Sequence, residues 1–87
     1  MSSEEKINQA EALKVIAEAF ETPSAEVQPG KRREDLEGWD SLGMLMLMAE
    51  FDERFGITLS AEELEDFSTI DDLLSALVAG GVLESGT

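Results

Sequence analysis

The side chain with the most chemical promise is a serine, set in Trp39-Asp40-Ser41-Leu42. An aspartate at position 40 can accept hydrogen bonds from the free N–H groups of a first helical turn, which makes it an N-cap and puts Ser41 at a helix mouth. The same N–H groups and the helix dipole favour a phosphate attached there. A serine beside a cap is by itself an ordinary helix-start residue. Its hydroxyl is also a poor nucleophile without help, and the chain has no histidine to take the proton and no cysteine to replace it. Gly38-Trp39-Asp40-Ser41-Leu42-Gly43 has the wrong glycine spacing for a nucleophile elbow and lacks its base. Carboxylates are plentiful, but a small helical domain offers little cleft in which to perturb a pair of them. The expectation is a protein that is acted upon, not an enzyme.

The absence of cysteine also excludes disulfides and thiolate metal sites. A calcium loop fails on spacing, because Asp35 is followed by glycine at the fourth loop position instead of the sixth, and Asp71-Asp72 runs straight into leucines. No metal site is expected. An acidic, methionine-containing helical module that binds partners non-covalently, in the manner of calcium sensors, stands as the alternative from another class.

Four helical stretches would have to position Ser41. The first opens at Ser2 or Ser3, with Ser2 and Glu5 at capping-box spacing, and Ile7, Ala10, Leu13, Ile16, Ala17 and Phe20 recur on one face. Thr22-Pro23 ends it near Glu21. Residues 22–40 form a long connection that needs anchors, for which Val27, Leu36 and Trp39 are suited. Its basic run Lys31-Arg32-Arg33 stands beside Glu34, Asp35 and Glu37 and reads as a solvated, locally neutralised loop. The second helix is capped by Asp40 and stops at Gly56. Ile57-Thr58-Leu59 is a short extended crossing with both apolar residues on one side. Ser60 and Glu63 open a short third helix to about Asp66. Thr69 caps the fourth, with Asp71 and Asp72 in its first turn and Ile70, Leu73, Leu74, Leu77 and Val78 as its buried stripe, until Gly80-Gly81. The class is all-α, in one domain over residues 1–87, with ends frayed at about 1–3 and 82–87.

Of the 87 residues, 20 are acidic and 6 basic, for a formal net charge of −14. That balance disfavours nucleic acid and anionic membranes and favours partners with basic patches, met by electrostatic steering. Nothing approaches a membrane span, and Met-Ser-Ser-Glu-Glu-Lys lacks the apolar core of a signal peptide. The cytoplasm is the expected compartment.

Asp40-Ser41-Leu42, Phe51 and Phe55 one turn apart, Gly56-Ile57-Thr58-Leu59, Glu62-Glu63 and Thr69-Ile70-Asp71-Asp72-Leu73 follow one another in an order that resembles the acyl carrier protein family. The resemblance runs from about Leu36 to Leu77; the first helix and long loop agree in length and in the places of Val27 and Leu36. It implies a four-helix bundle with a short third helix, and 4′-phosphopantetheine carried on Ser41, flanked by Asp40 and Leu42. The arm would come from coenzyme A through a separate magnesium-dependent phosphopantetheinyl transferase, with the serine hydroxyl attacking the pyrophosphate and the adenosine bisphosphate portion leaving. A terminal thiol on the arm would then hold acyl groups as thioesters for loading and processing enzymes that dock through basic or apolar patches. The carrier itself would be a monomer.

One segment departs from that pattern. Fatty-acid members carry acids soon after the serine, at positions that fall here on Gly43 and Met46, yet no charge follows Ser41 until Glu50. Gly43 also costs about 1 kcal/mol of helix propensity relative to alanine. Met44, Leu47, Met48, Phe51 and Phe55 share the core face of this helix. Leu42, Leu45, Met46 and Ala49 fall on other sides, where either the long loop covers them through Trp39 or they form an apolar docking strip for dedicated partners. The strip points toward specialised lipid or polyketide assembly, with fatty-acid synthesis and an aminoacyl or peptidyl carrier role as the other cargoes the sequence leaves open.

Overall fold

The computed structural model describes residues 7–83. Among them lie four α-helices and no strand: α1 (Gln9–Phe20), α2 (Ser41–Phe55), α3 (Ala61–Asp66) and α4 (Ile70–Ala79), with short 3₁₀ turns at Ser24–Glu26 and Arg33–Asp35 in the first connection. The architecture is the all-α, short-third-helix arrangement that the sequence implies. None of the described helices is long and apolar enough to cross a membrane.

The first helix starts later than its sequence spacing suggests. Asn8 Oδ1 accepts from the Glu11 N–H at 2.9 Å while the Glu11 carboxylate accepts from the Asn8 N–H at 3.2 Å, a reciprocal cap that opens α1 at Gln9. The alternative spacing of Ser2 and Glu5 lies outside the described residues. Ile7 is not helical; its N–H donates to the Val82 carbonyl at 3.0 Å and it bridges Leu83. Within α1, Ala12, Val15, Ile16, Ala19 and Phe20 are buried while Ala10 faces solvent and Leu13 is half-buried. Near Pro23, as expected, α1 closes on Glu21, with the Thr22 N–H donating to Ala17 O at 3.0 Å. Glu21 holds the left-handed conformation at φ 53°, a place usually given to glycine.

The other helix ends follow the sequence. Gly56 terminates α2 at φ 69°, and Ser60–Glu63 and Thr69–Asp72 form reciprocal caps on α3 and α4. Leu47 and Phe51 of α2, Ile16 of α1, Leu64 of α3 and Ile70, Leu73 and Leu77 of α4 are fully buried. Each side chain of that size contributes about 1.5–3 kcal/mol by leaving water. Met44, Met48, Phe55 and Val78, expected in the core, are only partly buried at its edge.

The long connection is tied down at both ends of its course. Val27, Leu36 and Trp39 are buried in the core. Its backbone also runs against the start of α4: the Ile70 and Asp71 N–H groups donate to the Lys31 and Pro29 carbonyls at 2.9 and 3.0 Å, and the Arg33 N–H donates to Ser68 O at 2.8 Å. Two first-turn donors of α4 that its own helix cannot satisfy are thus satisfied by the loop.

Two expectations fail here. Arg33 is not a solvated member of a basic run: it is half-buried, donates to the Leu64 carbonyl at 2.6 Å and lies over the Trp39 ring, 5.3 Å from its centroid. Nor are residues 82 and 83 frayed, since Leu83 is 3% exposed and its N–H donates to Leu77 O at 3.2 Å. Apolar contact with α4 outweighs the glycine pair that precedes them.

Candidate functional site

The approach to Ser41 is built by side chains that lock the preceding loop. Trp39 is 5% exposed and stacks on Phe20 with ring centroids 5.3 Å apart, so the chain enters α2 from a fixed point. Its backbone N–H donates to Leu36 O at 3.2 Å, closing the turn through Glu37 and Gly38. Backbone packing does the rest. A Cβ on Gly38 would collide with the Phe20 carbonyl, and a Cβ on Gly43 would collide with the Gly38 carbonyl and press on the Phe20 ring. Gly43 is therefore kept at a cost in helix propensity because the loop lies against it. Sequence alone showed that cost but not its cause.

Asp40 then caps the helix. Its Oδ1 accepts from the Gly43 N–H at 2.8 Å and its carbonyl accepts from the Met44 N–H at 2.8 Å. Ser41 follows as the first residue of α2 and is exposed. Neither its own N–H nor that of Leu42 has a partner among the described residues, so two donors and the positive end of a 15-residue helix stand beside the hydroxyl. A phosphodiester oxygen fits that setting: it meets unsatisfied donors at an exposed residue, and the carboxylate next in sequence, on Asp40, is turned to the Gly43 N–H. Among the described residues no group of three acidic side chains is arranged to hold a metal ion.

The apolar residues of α2 that face away from the core are open. Leu42 is 67%, Leu45 61% and Met46 41% exposed, and Ala49 is exposed with them. Trp39 does not cover them, because it is buried between Phe20 and Arg33. Beyond the strip, Glu50 and Glu18 both pair with Arg54, the Glu18 contact at 3.4 Å. The hydrogen bond to Glu50 is the main reason that the Arg54 pKa lies above its ordinary value. On the other side of the strip, Leu42 and Met46 form one wall of a cleft of about 420 Å³ whose opposite side is the end of α1 and the turn before α2.

The family model described as a phosphopantetheine attachment site matches residues 10–77. An acyl carrier protein, MbtL of Mycolicibacterium paratuberculosis, is 34% identical over 70 residues, which cover 80% of this chain and 79% of that protein.

Proposed function

Because the chain belongs to the phosphopantetheine-attachment family of carrier proteins, whose prosthetic group is covalent 4′-phosphopantetheine, we propose that Ser41 is its point of attachment and that the cargo is an acyl group. The observation that carries the assignment is the exposed Ser41, the first residue of α2, beside two N–H groups that have no partner among the described residues. The group, when bound, supplies a flexible arm with a terminal thiol able to hold an acyl group as a thioester. What this chain contributes is position: Trp39 and the Gly38–Gly43 contact fix the loop, Asp40 fixes the helix start, and the N–H groups of Ser41 and Leu42 would be the donors available to a phosphate carried there. In loading, the Ser41 oxygen bonds to the pantetheine phosphorus of coenzyme A, the bond to the other phosphate breaks, and adenosine bisphosphate leaves. The hydroxyl proton goes to the transferase, since the adjacent Asp40 carboxylate is engaged with the Gly43 N–H.

The carrier serves dedicated enzymes, in specialised lipid or polyketide assembly, instead of the general fatty-acid set. What supports this is the exposed strip Leu42, Leu45, Met46 and Ala49 where fatty-acid carriers present acids. The test is loading of the purified apo-protein by a broad-range transferase with coenzyme A and magnesium, followed by intact mass. One added phosphopantetheine on the parent protein and none on Ser41→Ala is the expected result; loading of Ser41→Ala would reject the assignment. A strict fatty-acid-type transferase should load the parent poorly and the Met46→Glu variant better. Gly43→Asp is not the partner substitution to choose, because any side chain there strikes the Gly38 carbonyl.

A further inference from the structure

Arg33 packs against the side chains of the core with its polar edge incompletely used. Its Nη2 donates to Leu64 O at 2.6 Å and to Met44 Sδ at 3.7 Å, and the guanidinium lies over the Trp39 ring. Its Nε is buried and has no partner among the described residues, and none of their ion pairs includes it. A buried N–H without an acceptor costs stability, the more so on a charged group. The thioether beside it is a weak acceptor. Nε–H and one N–H of Nη2 point from the same edge of a guanidinium, so a single oxygen at that edge can accept from both. Met44 stands at the margin of the core and is half-buried, which leaves it within reach of a small oxidant. The chain has no cysteine, so its thioethers are the sulfurs that an oxidant meets.

We propose that Met44 is a modification site for peroxide and that its sulfoxide latches the long connection to α2 through Arg33. A lone pair of Sδ attacks one oxygen of hydrogen peroxide, the S–O bond forms as the O–O bond breaks, and the other oxygen takes the remaining proton and leaves as water. Sulfur loses two electrons and the peroxide gains them. A strong acceptor then stands where a weak one stood. Methionine is unbranched and flexible, so an oxygen added from the open side can turn to the guanidinium and accept from Nε and Nη2. Arg33 lies over Trp39, two residues ahead of Ser41, so the latch stiffens the approach to the exposed serine. Met46 differs. It is 41% exposed and its sulfur accepts no hydrogen bond among the described residues, so oxygen there only makes the strip more polar. Sulfoxidation ordinarily loosens apolar packing; at Met44 the unpartnered donor reverses the sign.

The full chain with Met46→Leu and Met48→Leu isolates Met44 within α2. Hydrogen peroxide is added, the oxidised position is mapped by peptide mass, and the protein is melted and its Arg33 Nε–H proton signal recorded by nuclear magnetic resonance. One oxygen on Met44, a melting temperature higher by about 4–8 °C and a downfield move of the Nε–H signal are the expected results. With Arg33→Met added, the same oxidation should lower the melting temperature, because the sulfoxide then has no donor to meet. The latch is overturned if Met44 stays reduced under conditions that oxidise Met46 in the parent, if the melting temperature fails to rise, if the rise survives Arg33→Met, or if the Nε–H signal does not move. Should Arg33→Met not fold, the Nε–H signal and the melting temperature of the protein that keeps Arg33 decide the matter. None of these readouts depends on Ser41 being loaded.

Discussion

Gly43 shows how a single position can carry two opposed demands. As a helical residue it is a poor choice, and alanine there gains about 1 kcal/mol of propensity. As a surface it must accept the Gly38 carbonyl, which leaves no room for a Cβ. The second demand wins, because backbone cannot yield as a side-chain tip can. Gly43→Ala should lower stability by about 1–3 kcal/mol despite the better helix former, read as an earlier urea midpoint and an altered near-ultraviolet signal from Trp39. An unchanged midpoint would mean that the loop moves away without penalty. Ser41, by contrast, makes no packing contact that its exposure would reveal, and its replacement by alanine should leave the midpoint in place. The odd glycine was legible in the sequence; its cause was not, since it depends on a carbonyl that only the folded loop brings near. The left-handed Glu21 was equally silent, for Thr22-Pro23 marks where a helix ends and not which residue turns it.

At the scale of elements, most of the order was legible because caps are local chemistry. Asp40, Gly56, Ser60–Glu63 and Thr69–Asp72 each satisfy helix ends with residues a few positions away, so spacing alone identifies them. The start of α1 was not, because Asn8–Glu11 and Ser2–Glu5 offer equal spacing, and what sets Asn8 as a cap is Ile7, held extended against Val82 and Leu83 beyond α4. Arg33 was misjudged for a similar reason: its partners, Leu64 O and the Trp39 ring, are distant or aromatic instead of the neighbouring acids. The best-defended junction is the start of α4, where Asp72 Oδ2 accepts from the Ser68 and Thr69 N–H groups at 2.8 and 3.1 Å. These bonds, that from Ser68 foremost, hold its carboxyl below the ordinary value of 3.8. A carboxyl whose pKa is lower folded than unfolded stabilises fully above the unfolded value and loses that contribution as pH falls through the folded one. Asp72→Ala should therefore cost about 1 kcal/mol at neutral pH, with the gap to the parent narrowing only below the ordinary carboxylate value. Urea midpoints across pH 7 to strongly acidic solution measure this, and a gap constant with pH would assign the loss to packing.

Over the whole molecule, charge works against the fold and for its encounters. The chain carries 20 acids against 6 bases, and several of those bases are already engaged: Arg54 with Glu18 and Glu50, Arg32 with Glu34, and Arg33 with a backbone carbonyl. The excess of acids is therefore left facing solvent, where it repels itself in the compact state. Exposed charges more than about 8 Å apart are largely screened at physiological ionic strength, and that distance shortens as salt rises, so added salt should relieve the repulsion and raise the melting temperature. The same salt should slow capture by a basic transferase, lowering kcat/KM for loading several-fold between about 50 and 500 mM sodium chloride, chiefly through the encounter rate. Opposite slopes for stability and loading in one titration are the signature of a surface charged for its partners. Parallel slopes would mean that the apolar strip on α2, not the acids around it, governs how fast the carrier is found.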